Sequence, residues 1–136
     1  MNETLIPVQL DVGNSFDLLS VCNVKINTGD SKTREKNKSN FNRISKDIEA
    51  IIGHGKLVEI LGSDEYRDLY DCNLHLFNLI DKSKLDTGLA KECDLANYER
   101  YLKKAELQKK FFATDLTEVK SGYETQKSLD TGRKFK

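Results

Sequence analysis

Six polar side chains carry the chemistry that this sequence suggests. Three are amides, two are cations and one is a phenol. They are Asn73, Asn97, Arg100, Tyr101, Lys104 and Gln108. Groups of these types donate hydrogen bonds and neutralise negative charge, so a cleft lined by them would bind an anion such as a nucleotide, a phosphate or a carboxylate. We call these six residues the polar seam, and they are the ligand-binding residues that the sequence predicts.

Helical spacing over residues 89–112 explains why most of the polar seam should point inward. At about 100° per residue, charged side chains such as Glu99 and Lys103 collect on one face, which is the solvent face. The opposite face carries Asn97, Tyr101, Lys104 and Gln108. A buried amide without a partner costs about 1–3 kcal/mol, so this face must find partners. Asp81 is the counter-charge that we predict for Arg100 or Lys104.

A structural network is the alternative to a ligand site. Buried asparagines fix helix register in coiled coils, and the polar seam could do the same between two helices. We favour this network over a ligand. Nothing in the sequence supports a nucleophile paired with a base, so no catalytic residue is predicted.

Acidic and imidazole side chains raise the question of a metal site. Four acids begin one predicted helix: Asp64, Glu65, Asp68 and Asp71. Helical phase directs most of them away from the aromatic stripe of that helix and into solvent, and no second acidic helix faces inward to complete an oxygen cage. His54 and His75 are too few for a zinc site. We therefore predict no metal and no cofactor.

The fold class follows from composition and periodicity. The chain has 136 residues, of which 32% are charged, with one proline and eight glycines, a mix that favours a single helical domain. Apolar residues alternate over residues 5–12, which predicts a short strand. We predict a mainly α four-helix bundle spanning residues 1–120, followed by a polar basic tail. The helices are predicted over residues 15–27, 33–53, 63–83 and 89–112, and the tail over residues 121–136.

Two pairs of segments suggest an internal duplication. Residues 19–26 match residues 69–76, and residues 40–46 match residues 97–103. The two offsets differ by about two helical turns, which would keep the helix faces in phase. The bundle would then consist of two similar helical hairpins. Chance similarity between short helical segments is the alternative.

Charge and cysteine usage bound the partners and the compartment. The formal net charge is zero, so no global field favours nucleic acid or an anionic membrane. Basic runs at residues 31–46 and 120–136 could follow phosphates, yet no nucleic-acid-binding motif accompanies them, and nucleic acid is an unfavoured partner. No signal peptide or membrane span is indicated. Three cysteines without a CxxC pair fit a reducing compartment, and we expect a cytoplasmic protein.

The expected function is binding or assembly without catalysis. An aromatic cluster and an unpaired strand exceed what four short helices comfortably hide, which indicates a homo-oligomer. The aromatic cluster consists of Tyr98, Tyr101, Phe111 and Phe112. The size and the lack of motifs are compatible with an accessory protein of a phage or mobile element. The alternatives are a module that binds an anionic small molecule in the polar seam and a weak, non-specific nucleic-acid binder.

Overall fold

The protein is mainly helical, as the sequence predicts. A computed structural model describes residues 4–117, so the predicted tail over residues 121–136 lies outside the described residues. Within residues 4–117, five α-helices and one short 3-10 helix, Thr87–Leu89, follow one another. The α-helices are α1 (Val12–Thr28), α2 (Ser31–Ile52), α3 (His54–Leu61), α4 (Asp64–Ser83) and α5 (Ala90–Phe112).

Local signals explain where α4 begins and where α2 ends. The Ser63 hydroxyl accepts a hydrogen bond from the Tyr66 N–H at 3.1 Å, which is the bond that a serine makes at a helix N-cap. α2 ends at Gly53, whose φ of 90° is a conformation that glycine adopts without steric cost. The sequence pattern predicts no helix between residue 53 and residue 63. The chain re-enters a helix at once instead, and α3 follows.

The start of α1 differs from the prediction. The sequence predicts a helix that begins at residue 15, but α1 begins at Val12 and Asp11 occupies its N-cap position. The Asp11 side chain makes no capping hydrogen bond to α1, because it accepts hydrogen bonds from Thr117. Hydrogen bonds from Thr117, which is distant in the sequence, therefore take the place of a capping bond to α1.

α1 lies at the centre of the fold and packs against α2, α4 and α5. Its side chains Phe16 and Leu19 are completely buried. Each such side chain contributes about 1.5–3 kcal/mol when it is removed from water. The other helices place one or two side chains each in the same core: Ile48, Leu57, Ile60, Tyr66, Leu69 and Leu107.

α2 is the outer helix of the fold. It packs against α1 and α3, and Ile48 is the one buried residue among its 22 residues. The apolar residues Ile44 and Ile52 are half-buried, and Ile51 is 84% exposed. One apolar face of α2 therefore lies open on the side where the N-terminal residues run.

The predicted strand over residues 5–12 is not present. Residues 4–11 form no regular secondary structure, and Val12 already belongs to α1. A strand needs a neighbour for its backbone groups, and the described chain offers none alongside this segment. We call residues 4–10 the N-terminal arm. All seven are exposed.

Membrane crossing has no candidate element within residues 4–117. None of the helices there combines the length and the apolar character that a membrane span requires.

Candidate functional site

A buried carboxylate, Asp17 of α1, is the centre of a polar network between three helices. Arg100 of α5 donates hydrogen bonds from Nε to both carboxylate oxygens at 2.9 Å and from Nη2 to Oδ2. Asn73 of α4 donates from Nδ2 to Asp17 Oδ1 at 2.9 Å and to Ser20 Oγ at 3.0 Å. The network therefore joins α1, α4 and α5 through directional bonds, and two of its members belong to the polar seam.

Burial makes this network sensitive to the loss of any member. The side chain of Asp17 is 4% exposed and that of Arg100 is 28% exposed. A charge pair in such surroundings gives little net stability, but removal of one partner leaves the other charge without compensation. Loss of Asp17, Asn73 or Arg100 would therefore leave a polar group at the contact of α1, α4 and α5 without its partner.

The predicted counter-charge for Arg100 was wrong. Asp81 is exposed and forms an ion pair with Lys84 at 3.3 Å, one turn further along the chain. Asp17 takes the predicted role of Asp81. A signal for it exists in the sequence, because Gly13, Asp17 and Ser20 recur at steps of four and three residues on the buried side of α1.

Gln108 forms a second polar cluster further along the interface between α1 and α5. It is 3% exposed. Its Oε1 accepts the Gly13 N–H at 2.9 Å, and its Nε2 donates to Thr114 Oγ1 at 3.1 Å and to the Asp115 carbonyl at 2.9 Å. Gln108 thus satisfies a backbone donor at the start of α1 and holds the segment that follows α5.

Asp11 and Thr117 also join the start of α1 to the segment that follows α5. The Thr117 N–H and hydroxyl donate to Asp11 Oδ2 at 2.8 Å and 2.7 Å. The backbone N–H bond, followed by the hydroxyl bond, holds the pKa of Asp11 below its usual value. The residues before α1 and those after α5 therefore lie side by side.

Lys104 is buried on α5, and its backbone lies against Gly13 at the start of α1. Its side chain belongs to the inward face that the sequence predicts, and the residue is 7% exposed. A Cβ at Gly13 would stand 2.5 Å from the Lys104 carbonyl oxygen. The lack of a side chain at Gly13 therefore lets the two helix backbones approach here.

Asn97 and Tyr101 are half-buried. The Tyr101 ring stacks on that of Tyr98, with ring centroids 6.4 Å apart. Within residues 4–117, Asn97 takes no part in the hydrogen bonds of Asp17. The polar seam is thus divided between the Asp17 network, the Gln108 cluster and a half-buried remainder.

The two asparagines that the predicted duplication pairs have different surroundings. Asn73 binds Asp17 and Ser20, whereas Asn23 donates to the Tyr66 hydroxyl at 2.6 Å. Burial raises the pKa of this hydroxyl, and the hydrogen bond from Asn23 lowers it by less. The duplication stays a prediction.

An apolar groove is a feature that sequence reasoning missed. It has a volume of about 1070 Å³ and lies between the N-terminal arm and the helices α1 and α2. Six of the ten exposed large apolar residues in the described chain line it. They are Leu5, Ile6, Val8, Leu10, Leu18 and Ile51. Each of these residues alone would be unremarkable on a surface, and the groove appears only when the fold brings them together.

The aromatic cluster, in contrast, is packed. Phe111 and Phe112 lie against the hydrophobic core, and the Lys56 ammonium stands 5.4 Å and 5.5 Å from their ring centroids. Tyr98 and Tyr101 stack on each other and are half-buried. The homo-oligomer that the sequence analysis expects stays a prediction.

Arg100 already has an internal counter-charge in Asp17, and the apolar groove contains no residue of the polar seam. An anionic ligand at the polar seam stays a prediction. In the described part of the chain, no group of three or more His, Cys, Asp or Glu side chains could hold a metal ion.

A comparison with protein-family models, with curated proteins and with solved structures gives no match for this chain.

Proposed function

We propose that this is a non-catalytic binding and assembly protein that associates with protein partners through the apolar groove. One observation carries the proposal, namely the gathering of six exposed apolar side chains around one groove. The largest apolar patch on a monomeric protein is typically about 300–600 Å² and often functional. In this protein, six aliphatic side chains with exposed fractions between 42% and 84% lie around one groove.

The N-terminal arm supports the proposal independently. Within residues 4–117, no backbone hydrogen bond joins residues 4–10 to another part of the chain. An exposed segment with free backbone groups and apolar side chains can add to an edge supplied by another chain. The arm therefore offers both apolar contact area and hydrogen bonds to a protein partner.

The proposal includes an arrangement and a compartment. We place α1 with α2 and α4 with α5 as two hairpins of a four-helix bundle, in agreement with the packing within each pair. We place the protein in the cytosol, because Cys22, Cys72 and Cys93 are free thiols. Burial raises the pKa of the Cys22 and Cys72 thiols, which lowers their thiolate content and suits a structural role.

Native mass spectrometry of the protein purified from cells tests this proposal. We expect species heavier than the 15.5 kDa chain. Ile51→Glu places a charge in the groove and should remove those species. The matched control is Leu85→Glu, which makes the same change at an exposed apolar residue outside the groove and should leave them intact. A 15.5 kDa species alone at every concentration, or equal behaviour of the two variants, would refute the proposal.

A further inference from the structure

We infer that the occupant of the apolar groove is a second copy of this chain, bound about a two-fold axis that sets α2 of one copy against α2 of the other. This inference rests on the proposed function and adds the identity of the partner. It is carried by the charges beside the groove, by the exposed apolar side chains that line it and by the arm.

Charge complementarity across such an axis is built into α2. Arg43 and Asp47 both line the groove, one helical turn apart, and both are exposed. Arg43 makes one hydrogen bond, to Asn40 at 3.4 Å, and Asp47 has no ion pair within the described residues. A two-fold axis between these positions sets Arg43 opposite the partner's Asp47, and Asp47 opposite the partner's Arg43. Each copy contributes one arginine and one aspartate, so the dimer contains two intermolecular ion pairs.

The groove has the composition of a dimer interface, since exposed apolar side chains lie beside charged ones. Standard interfaces bury about 800 Å² on each partner, with an apolar centre and a polar rim. The six exposed apolar residues supply the centre, and Arg43 and Asp47 supply part of the rim. In a two-fold dimer the same patch is used on both copies, so no second surface is required. The net charge of zero adds no general repulsion between copies.

The N-terminal arm has one edge suited to pairing with the same arm of the partner. In an extended chain, the backbone groups of Ile6, Val8 and Leu10 point to one edge, and those of Pro7 point to the other. Pro7 has no N–H to donate, so pairing falls to the edge of Ile6, Val8 and Leu10. A two-fold axis makes the two arms antiparallel. This gives the strand predicted from the sequence the neighbour that a single chain lacks.

Charge reversal in trans tests this arrangement. Arg43→Asp alone sets two acids against each other at both contacts, and Asp47→Arg alone sets two arginines against each other. We expect each variant to raise the dimer dissociation constant about tenfold or more at low salt, as measured by sedimentation equilibrium. An equimolar mixture of the two variants restores both ion pairs, and its dissociation constant should return to within about threefold of the parent value.

Lys38→Asp is the matched control. It changes the charge of α2 by the same amount at an exposed residue outside the apolar groove, and dimerisation should be unaffected. If the mixture associates no more tightly than either variant alone, the two-fold arrangement is overturned. If Ile51→Glu abolishes association with a different chain while no homodimer forms, the inference falls and the proposed function stands. If Ile51→Glu changes nothing, both fall.

Discussion

Replacement of Asp17 by asparagine should destabilise the fold far more than any surface charge change. Asp17→Asn keeps the shape of the side chain but removes its charge, so the Arg100 guanidinium loses its counter-charge in a largely buried place. The new amide also carries donors, and Asn73 already points a donor at this position. Removal of one partner from a buried pair costs about 3–5 kcal/mol. Because the Arg100 side chain is 28% exposed, water relieves part of that cost, and we expect about 3 kcal/mol.

Urea unfolding followed by far-ultraviolet circular dichroism measures this change as a shift of the midpoint at constant slope. Lys110→Gln is the control, since the Lys110 side chain is 55% exposed and the loss of its ion pair with Glu65 should cost less than about 1 kcal/mol. Asp17→Leu combined with Arg100→Met should be more stable than Asp17→Leu alone, because the second change removes the charge that the first one strands.

Two outcomes would refute this reasoning. One is a cost of Asp17→Asn no larger than that of Lys110→Gln. The other is a double variant that is less stable than Asp17→Leu alone. Either would mean that solvent already compensates the charge of Arg100, and that packing of α1 against α5 holds the helices in register without the ion pair.

Further predictions concern the contact between the start of α1 and α5. Gly13→Ala adds a Cβ 2.5 Å from the Lys104 carbonyl oxygen and should destabilise the fold by about 1–3 kcal/mol in urea unfolding. Gly55→Ala meets no atom within 4 Å in α3 and should stabilise it by about 0.5–1 kcal/mol, so equal effects of the two would contradict the close approach. The pKa of Asp11 is lower in the folded state than in the unfolded state, so its bonds to Thr117 stabilise the fold at higher pH and weaken as the pH falls through the folded-state pKa. The Thr117 amide signal in nuclear magnetic resonance should titrate below pH 3.8 and lose this transition in Asp11→Asn; a midpoint at or above 3.8 would count against the bond.

The helical character of the chain and the inward face of α5 could be predicted from periodicity. Lys104 and Gln108 are buried as their spacing indicates, because the phase of a helix fixes the direction of each side chain. The partner across the interface could not be found in the same way. The chain has 22 acidic residues, and the phase of α5 does not say which of them stands opposite Arg100. Asp17 is selected by how α1 crosses α5, which depends on the whole packing arrangement.

The apolar groove shows a second limit of sequence reasoning. Alternating apolar residues in the N-terminal arm predict a strand, but they do not say that the arm passes beside Ile51 of α2. That neighbourhood depends on where α1 begins and on how α2 turns back along it. The sequence therefore indicates a segment whose backbone groups lack partners, and the fold is needed to show which residues lie next to it.

The bonds between Asp11 and Thr117 have a mechanical consequence. These residues are 106 positions apart in the chain, yet two hydrogen bonds join them directly. A pulling force applied between the two positions would therefore load these bonds before it reached any helix. Until they part, the chain between them behaves as a closed loop whose five helices carry no tension.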